Sequence, residues 1–113
     1  MVVKTVGKNR AMLLIRNDVN DIRVGTGGTD VTTAGSTMNA EIAASSKTPT
    51  ISLTGNTLQV TSNWNLAEHN GEVLKEAALF INGGNTIFDH VVFPNFEKTN
   101  RNELTIILTQ KVL

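Results

Sequence analysis

The sequence predicts an all-β fold, an antiparallel β-sandwich of about six strands preceded by a short N-terminal helix and interrupted by one long loop. Three observations carry that prediction. Residues 57–64 are the cleanest period-2 run, with Leu58, Val60 and Trp64 on one side and Thr57, Gln59, Thr61 and Asn63 on the other, the period of a half-buried strand. From Thr50 onward, short apolar segments recur between turn signals at "TGN", "AEHNGE" and "NGGN", the rhythm of strands joined by tight connections. The chain has 113 residues, which suits one domain, 1–113, with one modest core.

Residues Val3 to Arg16 are the helix candidate, so that 1–16 forms a helix or arm. Val6, Ala11, Leu14 and Ile15 fall roughly on one face, and Asn17-Asp18 offers a stop, although Gly7 weakens the helix. A strand over Ile22–Val24 then runs into "GTGGTD" at 25–30. This glycine run fits neither the dinucleotide fingerprint, which needs a third glycine where Asp30 stands, nor the phosphate loop, which needs Gly-Lys-Ser/Thr. It reads as a strand-ending turn requiring positive φ. Asp30 to Thr50 is small and polar, a long loop with one helical turn expected over Thr37–Ala44 around Met38, Ile42 and Ala43.

The strand at Ile51 and Leu53 precedes the alternating run. In "GEVLKEAALFINGG" (71–84) a helix and a strand both fit the local pattern. The hairpin signals on either side favour a strand, with Glu76, after Lys75, at the entrance of its apolar part. "TIFDHVVF" (86–93) is apolar on both faces, with Ile87, Val91 and Phe93 on one and Phe88 and Val92 on the other, and reads as a central strand ended by Pro94. The last strand places Leu104, Ile106, Leu108 and Val112 on one face, and adds Ile107 and Leu113 to the other.

Composition excludes several function classes. There is no cysteine, so disulfides and thiolate metal sites are absent. Ten basic and ten acidic residues balance without any charge block, and aromatics are four Phe and one Trp. This is a poor basis for nucleic-acid binding. No apolar run approaches the length of a membrane span, and the N-terminus lacks the order of a secretory signal, so synthesis and folding in a cytoplasm are expected. Catalytic sets are missing as well. His69 and Glu72 lack a third metal ligand. Asp89 and His90 are strand neighbours pointing to opposite faces, and Ser36, Ser45, Ser46 and Ser62 sit in no nucleophile elbow. Nothing in the spacing selects an acid pair among Asp30, Glu41, Glu68, Glu72 and Glu76. The reading is a non-enzymatic protein with no cofactor and no metal. Glu76 is expected to accept hydrogen bonds that fix a turn or loop amide, with an inter-strand or inter-subunit tie as the alternative.

The ordered set of segments resembles a family of small structural proteins of tailed bacteriophages and the related ends of longer tail-fibre chains. The pieces are "VGKNRAMLLI" with Gly7 and Asn9, "RVGTGGT" with Gly25, Thr26 and Gly27, and "MNAEI" with Met38 and Glu41. They continue with "NGEVLKEAALFIN", matching at Asn70, Gly71, Glu76, Ala77, Leu79 and Phe80, and "HVVFPNFEKTNRNELTI", matching at Val91, Phe93, Lys98, Thr99, Leu104, Thr105 and Ile106. The chain departs from the pattern at Ala78, which replaces a glycine, at the added Gly28, and in the 30–50 loop, which lacks a Thr-Ala-Pro. The resemblance implies a sandwich-like virion component without enzymatic activity, on the tail or on the capsid surface.

The surplus of apolar residues on outward strand faces adds an expectation of homo-oligomerisation and of contact with other virion proteins of the tail, baseplate, fibre base or capsid, with no nucleic-acid or membrane partner. Candidate structural or interface residues are Glu76, Leu79, Phe80, Phe88, Val92, Phe93, Lys98, Met38 and Glu41, and the 30–50 loop and N-terminal segment are candidates for reaching a neighbour. A second function class is a ligand- or carbohydrate-binding sandwich for host recognition. It would need an exposed aromatic platform, and Trp64, the one tryptophan, lies on the apolar face of its strand.

Overall fold

A computed structural model describes residues 5–28 and 37–111. The predicted helix start at Val3, the Asp30–Ser36 part of the long loop, and Val112 and Leu113 lie outside the described residues. The chain is mostly β. Helix α1 (Thr5–Asp18) leads directly into β1 (Val19–Gly25), followed by β2 (Thr50–Thr54), β3 (Thr57–Trp64), β4 (Val73–Ile81), β5 (Thr86–Glu97) and β6 (Leu104–Lys111). These form two three-stranded antiparallel sheets, one in the order β1-β4-β5 and the other β2-β3-β6.

One buried cluster draws on both sheets. Ile22, Val24, Leu74, Ala77 and Leu79 of the first sheet join Leu58, Val60, Trp64, Leu104 and Leu108 of the second, with Met12 of α1 inserted among them. The strict alternation of β3 puts Leu58, Val60 and Trp64 at zero exposure. Trp64 Nε1 donates to Ser45 O at 2.9 Å, so its one polar atom is satisfied at full burial. At the strand edges the sheets are also tied by a bond from Gln110 Nε2 to Asp89 Oδ2, 2.6 Å.

The segment "EAALF" belongs to β4, the centre of its sheet. Its two faces are both covered. Ala77 and Leu79 face the core, while Ala78 and Phe80 pack with Met38 and Ile87 in a second buried cluster.

Several expectations are corrected. The buried side of α1 is Met12 with Ile15, whereas Val6 is 80% and Leu14 is 55% exposed. Strand β5 is an edge strand, not a central one, and it continues past Pro94 to Glu97. Edge position explains the tolerance, since a proline there need not donate to a neighbouring strand. A bulge at Phe88 changes the faces of β5, because Leu79 pairs with Asp89 but Phe80 pairs with Ile87. Ile87 therefore packs with Met38 and Phe80, opposite to Val91 and Phe93, which pack against the main core.

The helical turn expected over Thr37–Ala44 does not form. Residues 40–47 instead run along the free edge of β1. Thr26 N donates to Ala40 O, Ile42 N to Val24 O, and Ile22 and Lys47 exchange both backbone bonds. Ser45 Oγ bridges Val24 N and Val24 O at 3.2 Å each. The long polar segment thus covers a sheet edge that would otherwise leave unpaired backbone groups.

Candidate functional site

The most elaborate polar site is built around Glu76. Its side chain is fully buried, and a buried carboxylate survives only when its lone pairs are filled. Four donors fill them. Oε2 accepts from Gly27 N at 2.9 Å and Ala40 N at 2.8 Å, and Oε1 accepts from Asn39 N at 3.1 Å and His90 Nε2 at 2.8 Å. An ionised carboxylate has only acceptors, so Nε2 of His90 carries the hydrogen in this bond. Burial pulls the Glu76 carboxyl upward, but the His90 bond and the amides of Ala40, Gly27 and Asn39 outweigh it and hold the group below the ordinary glutamate value.

The arrangement explains the glycines of "GTGG". Gly25 and Gly27 do not adopt positive φ; among the described glycines, Gly55, Gly71, Gly83 and Gly84 do. The positive-φ expectation for this turn is therefore wrong, and close approach takes its place. A Cβ on Gly25 would sit 2.5 Å from both Ala40 O and Glu76 Oε2, and one on Gly27 would sit 2.7 Å from Glu76 Oε2 and collide with Asn39 Cβ. Both ends of the segment between Gly27 and Asn39 are consequently fastened to one carboxylate.

Beside this knot lies an ion network on the same sheet face. Asp21, nearly fully buried, accepts from Arg23 Nε, Asn20 Nδ2 and Ser46 Oγ at 2.6, 2.6 and 2.7 Å. Burial raises the Asp21 carboxyl, yet the Arg23, Asn20 and Ser46 bonds bring it below its usual value. Arg23 also reaches Glu41 Oε1 at 3.2 Å and Gly84 O at 3.3 Å, and its guanidinium lies 3.9 Å from the centre of the Phe80 ring.

A second knot surrounds Lys98. This residue has zero exposure, and its Nζ donates to Asn70 Oδ1 and Thr99 O, each at 2.9 Å. Backbone bonds from Gly71 N to Lys98 O and from Lys98 N to Glu72 O complete the tie between the 65–72 turn and the end of β5. Glu68 of that turn pairs with Lys47, which together with the Asn65 amide lowers its carboxyl.

The sequence-predicted residues thus fall into four groups. Glu76, Met38, Glu41 and Phe80 come together in or beside the Glu76–Arg23 face, and Leu79 lies in the main core. Lys98 forms its own knot, at the other end of β4 from Phe80. Phe93 packs half-buried against the core, while Phe88 and Val92 are exposed. Sequence reasoning missed His90 as the partner of Glu76 and missed the Asp21–Arg23 pair. The one signal for His90 was a polar residue, beside Asp89, within the apolar stretch 87–93. Trp64 is closed inside the core, so it offers no platform for stacking a sugar. Among the described residues, no group of three or more His, Cys, Asp or Glu side chains is placed to hold a metal ion, and no helix is long and apolar enough to cross a membrane.

What the site does chemically is bind backbone. Each buried charge described here is spent on loop amides, carbonyls or a neighbouring charged side chain, which positions loops. Comparison with known protein families, with curated proteins and with solved structures finds no match.

Proposed function

We propose that the protein is a non-enzymatic structural protein of a tailed-phage virion, folded as a two-sheet β-sandwich that self-assembles as a tail, baseplate or fibre component or as a capsid decoration. The resemblance of its ordered motifs supplies the virion context. The single observation that carries self-assembly is the apolar surface left on the edge strands: Phe88 and Val92 on β5 are more than one-third exposed, and Ile107 on β6 is 56% exposed. Both strands end their sheets, where unpaired edges and outward apolar side chains favour association. The buried knots support the same reading, because they fix loop shape without presenting a reactive group. The test is the solution mass of the purified chain by light scattering coupled to size exclusion. A discrete trimer, hexamer or larger ring supports assembly; a monomer at high concentration removes it.

A further inference from the structure

Each sheet has two edges, and three of the four are covered or blunted. Residues 40–47 bond along β1. Strand β5 carries Pro94 and the bulge at Phe88, two devices that spoil an edge for pairing. Strand β2 has only five residues, follows Pro49, and has α1 packed beside it. Strand β6 differs. It runs for eight residues without proline or glycine, and its register with β3 is unbroken from Leu104 to Lys111. Among the described residues, none makes a backbone bond to its outer side.

The outward face here is polar except at one point. Gln59, Thr61 and Asn63 of β3, with Thr105 and Thr109 of β6, surround Ile107, which is 56% exposed. Glu103 and Lys111 are exposed at the two ends of the strand. Neither has an ion-pair partner among the described residues. They stand roughly 26 Å apart along one strand, too far to pair with each other.

These positions are self-complementary. When a strand pairs antiparallel with its own copy in one continuous sheet, side chains stay on their faces, so one residue sits opposite itself. With Ile107 at that point, Ile107 meets Ile107, Thr105 meets Thr109, and Glu103 meets Lys111, the last two contacts each made twice. Apolar, Thr–Thr and opposite-charge pairs are all favourable across antiparallel strands. Other registers lose this match. Centring on Ile106 counts Lys111 opposite Arg101, and centring on Leu108 sets Lys111 opposite Thr105; either way Ile107 faces a threonine.

We infer that two copies of this chain join their β6 strands antiparallel about Ile107, making one six-stranded sheet, β2-β3-β6-β6-β3-β2, through the dimer. This rests on the self-assembly reading above and names the partner, register and symmetry of one interface. A two-fold contact gives a dimer by itself, and an even number of copies when a further contact is added.

The chain has no cysteine, so single introduced thiols report the register. Ile107→Cys should be captured as a disulfide-linked dimer under mild oxidation and released by reductant. Thr109→Cys should stay uncoupled, because its two copies lie four residues apart along the pair, roughly 13 Å, beyond the reach of a disulfide. An equimolar mixture of Thr105→Cys and Thr109→Cys should give the mixed dimer. Glu103→Lys and Lys111→Glu should each weaken dimerisation roughly tenfold at low ionic strength, and the double variant should regain wild-type affinity because its pairs are again of opposite charge. All these positions are exposed, and circular dichroism checks that each variant keeps the wild-type fold. A wild-type oligomer in which Ile107→Cys couples no better than Thr109→Cys overturns the β6 contact and leaves self-assembly standing, as does a discrete trimer. Single charge variants as tight as the wild type, or a double variant as weak as the singles, overturn the register. A wild-type monomer at every concentration overturns both readings.

Discussion

Replacing Glu76 by glutamine tests the clasp role of this carboxylate with the smallest steric change. The carboxylate accepts from three backbone amides and one imidazole. A glutamine keeps one acceptor oxygen and turns an NH2 group toward the remaining donors. Two of the four donors then lose their acceptor in a site with no exposure, at roughly 1–3 kcal/mol each. The expected loss is therefore about 3–4 kcal/mol, similar to breaking a buried ion pair from one side. Urea denaturation at pH 7 measures it directly, and the thermal midpoint should fall by roughly 10–20 °C for a domain of this size. Hydrogen exchange provides the local readout, since protection should drop first at Gly27, Asn39 and Ala40. A loss below about 1 kcal/mol, with those amides still protected, would refute the claim that Glu76 holds the two loop ends.

Further outcomes follow from the same geometry. The Glu76 carboxyl is depressed in the folded state, so its contribution is fully present above the unfolded value of about 4.3 and is lost as pH falls through the lower folded value; acid titration followed by circular dichroism should show a shallower loss of stability below pH 5 in Glu76→Gln than in the wild type. Gly27→Ala should destabilise by about 2 kcal/mol or more through its collision with Glu76 and Asn39, whereas Gly28→Ala, whose Cβ would meet Lys75 Cδ alone among the described residues, at 3.6 Å, should change the urea midpoint little. Lys98→Met should cost about 2 kcal/mol by leaving Asn70 Oδ1 and Thr99 O without their donor, measured by the same denaturation. Trp64→Ala should cost roughly 3–5 kcal/mol by leaving a cavity in the shared core.

The parts of the fold legible in the sequence are those set by local period. The alternation over 57–64 marks β3, and the hairpin signals around 73–81 decide between helix and strand for "EAALF". The parts that stayed hidden depend on register. Counting back from the pairing of Ile81 with Thr86 would set His90 opposite Ala77, on the core face. The bulge at Phe88 shifts that pairing to Ala78 and turns His90 toward Glu76. No periodicity within β5 reports the shift. The same limit hid the role of residues 40–47, whose bonds to β1 are set by backbone position and not by side-chain pattern. Glu76 itself stood out in the sequence, as a lone acid in an apolar strand, yet its donors lie 14 to 49 residues away along the chain.

The helix shows a related limit. Its sequence carries apolar residues on two sides, and periodicity alone could not say which side faces the core. Met12 lies inward, in the same buried cluster as Leu58 and Val60. Val6 and Leu14 were left outside.

Solution mass of the wild-type chain, measured by light scattering across a concentration series at low and high salt, tests the central claim most directly. Self-assembly predicts a discrete species larger than the 12.2 kDa protomer. A mass that stays at one protomer at every concentration and salt would contradict it.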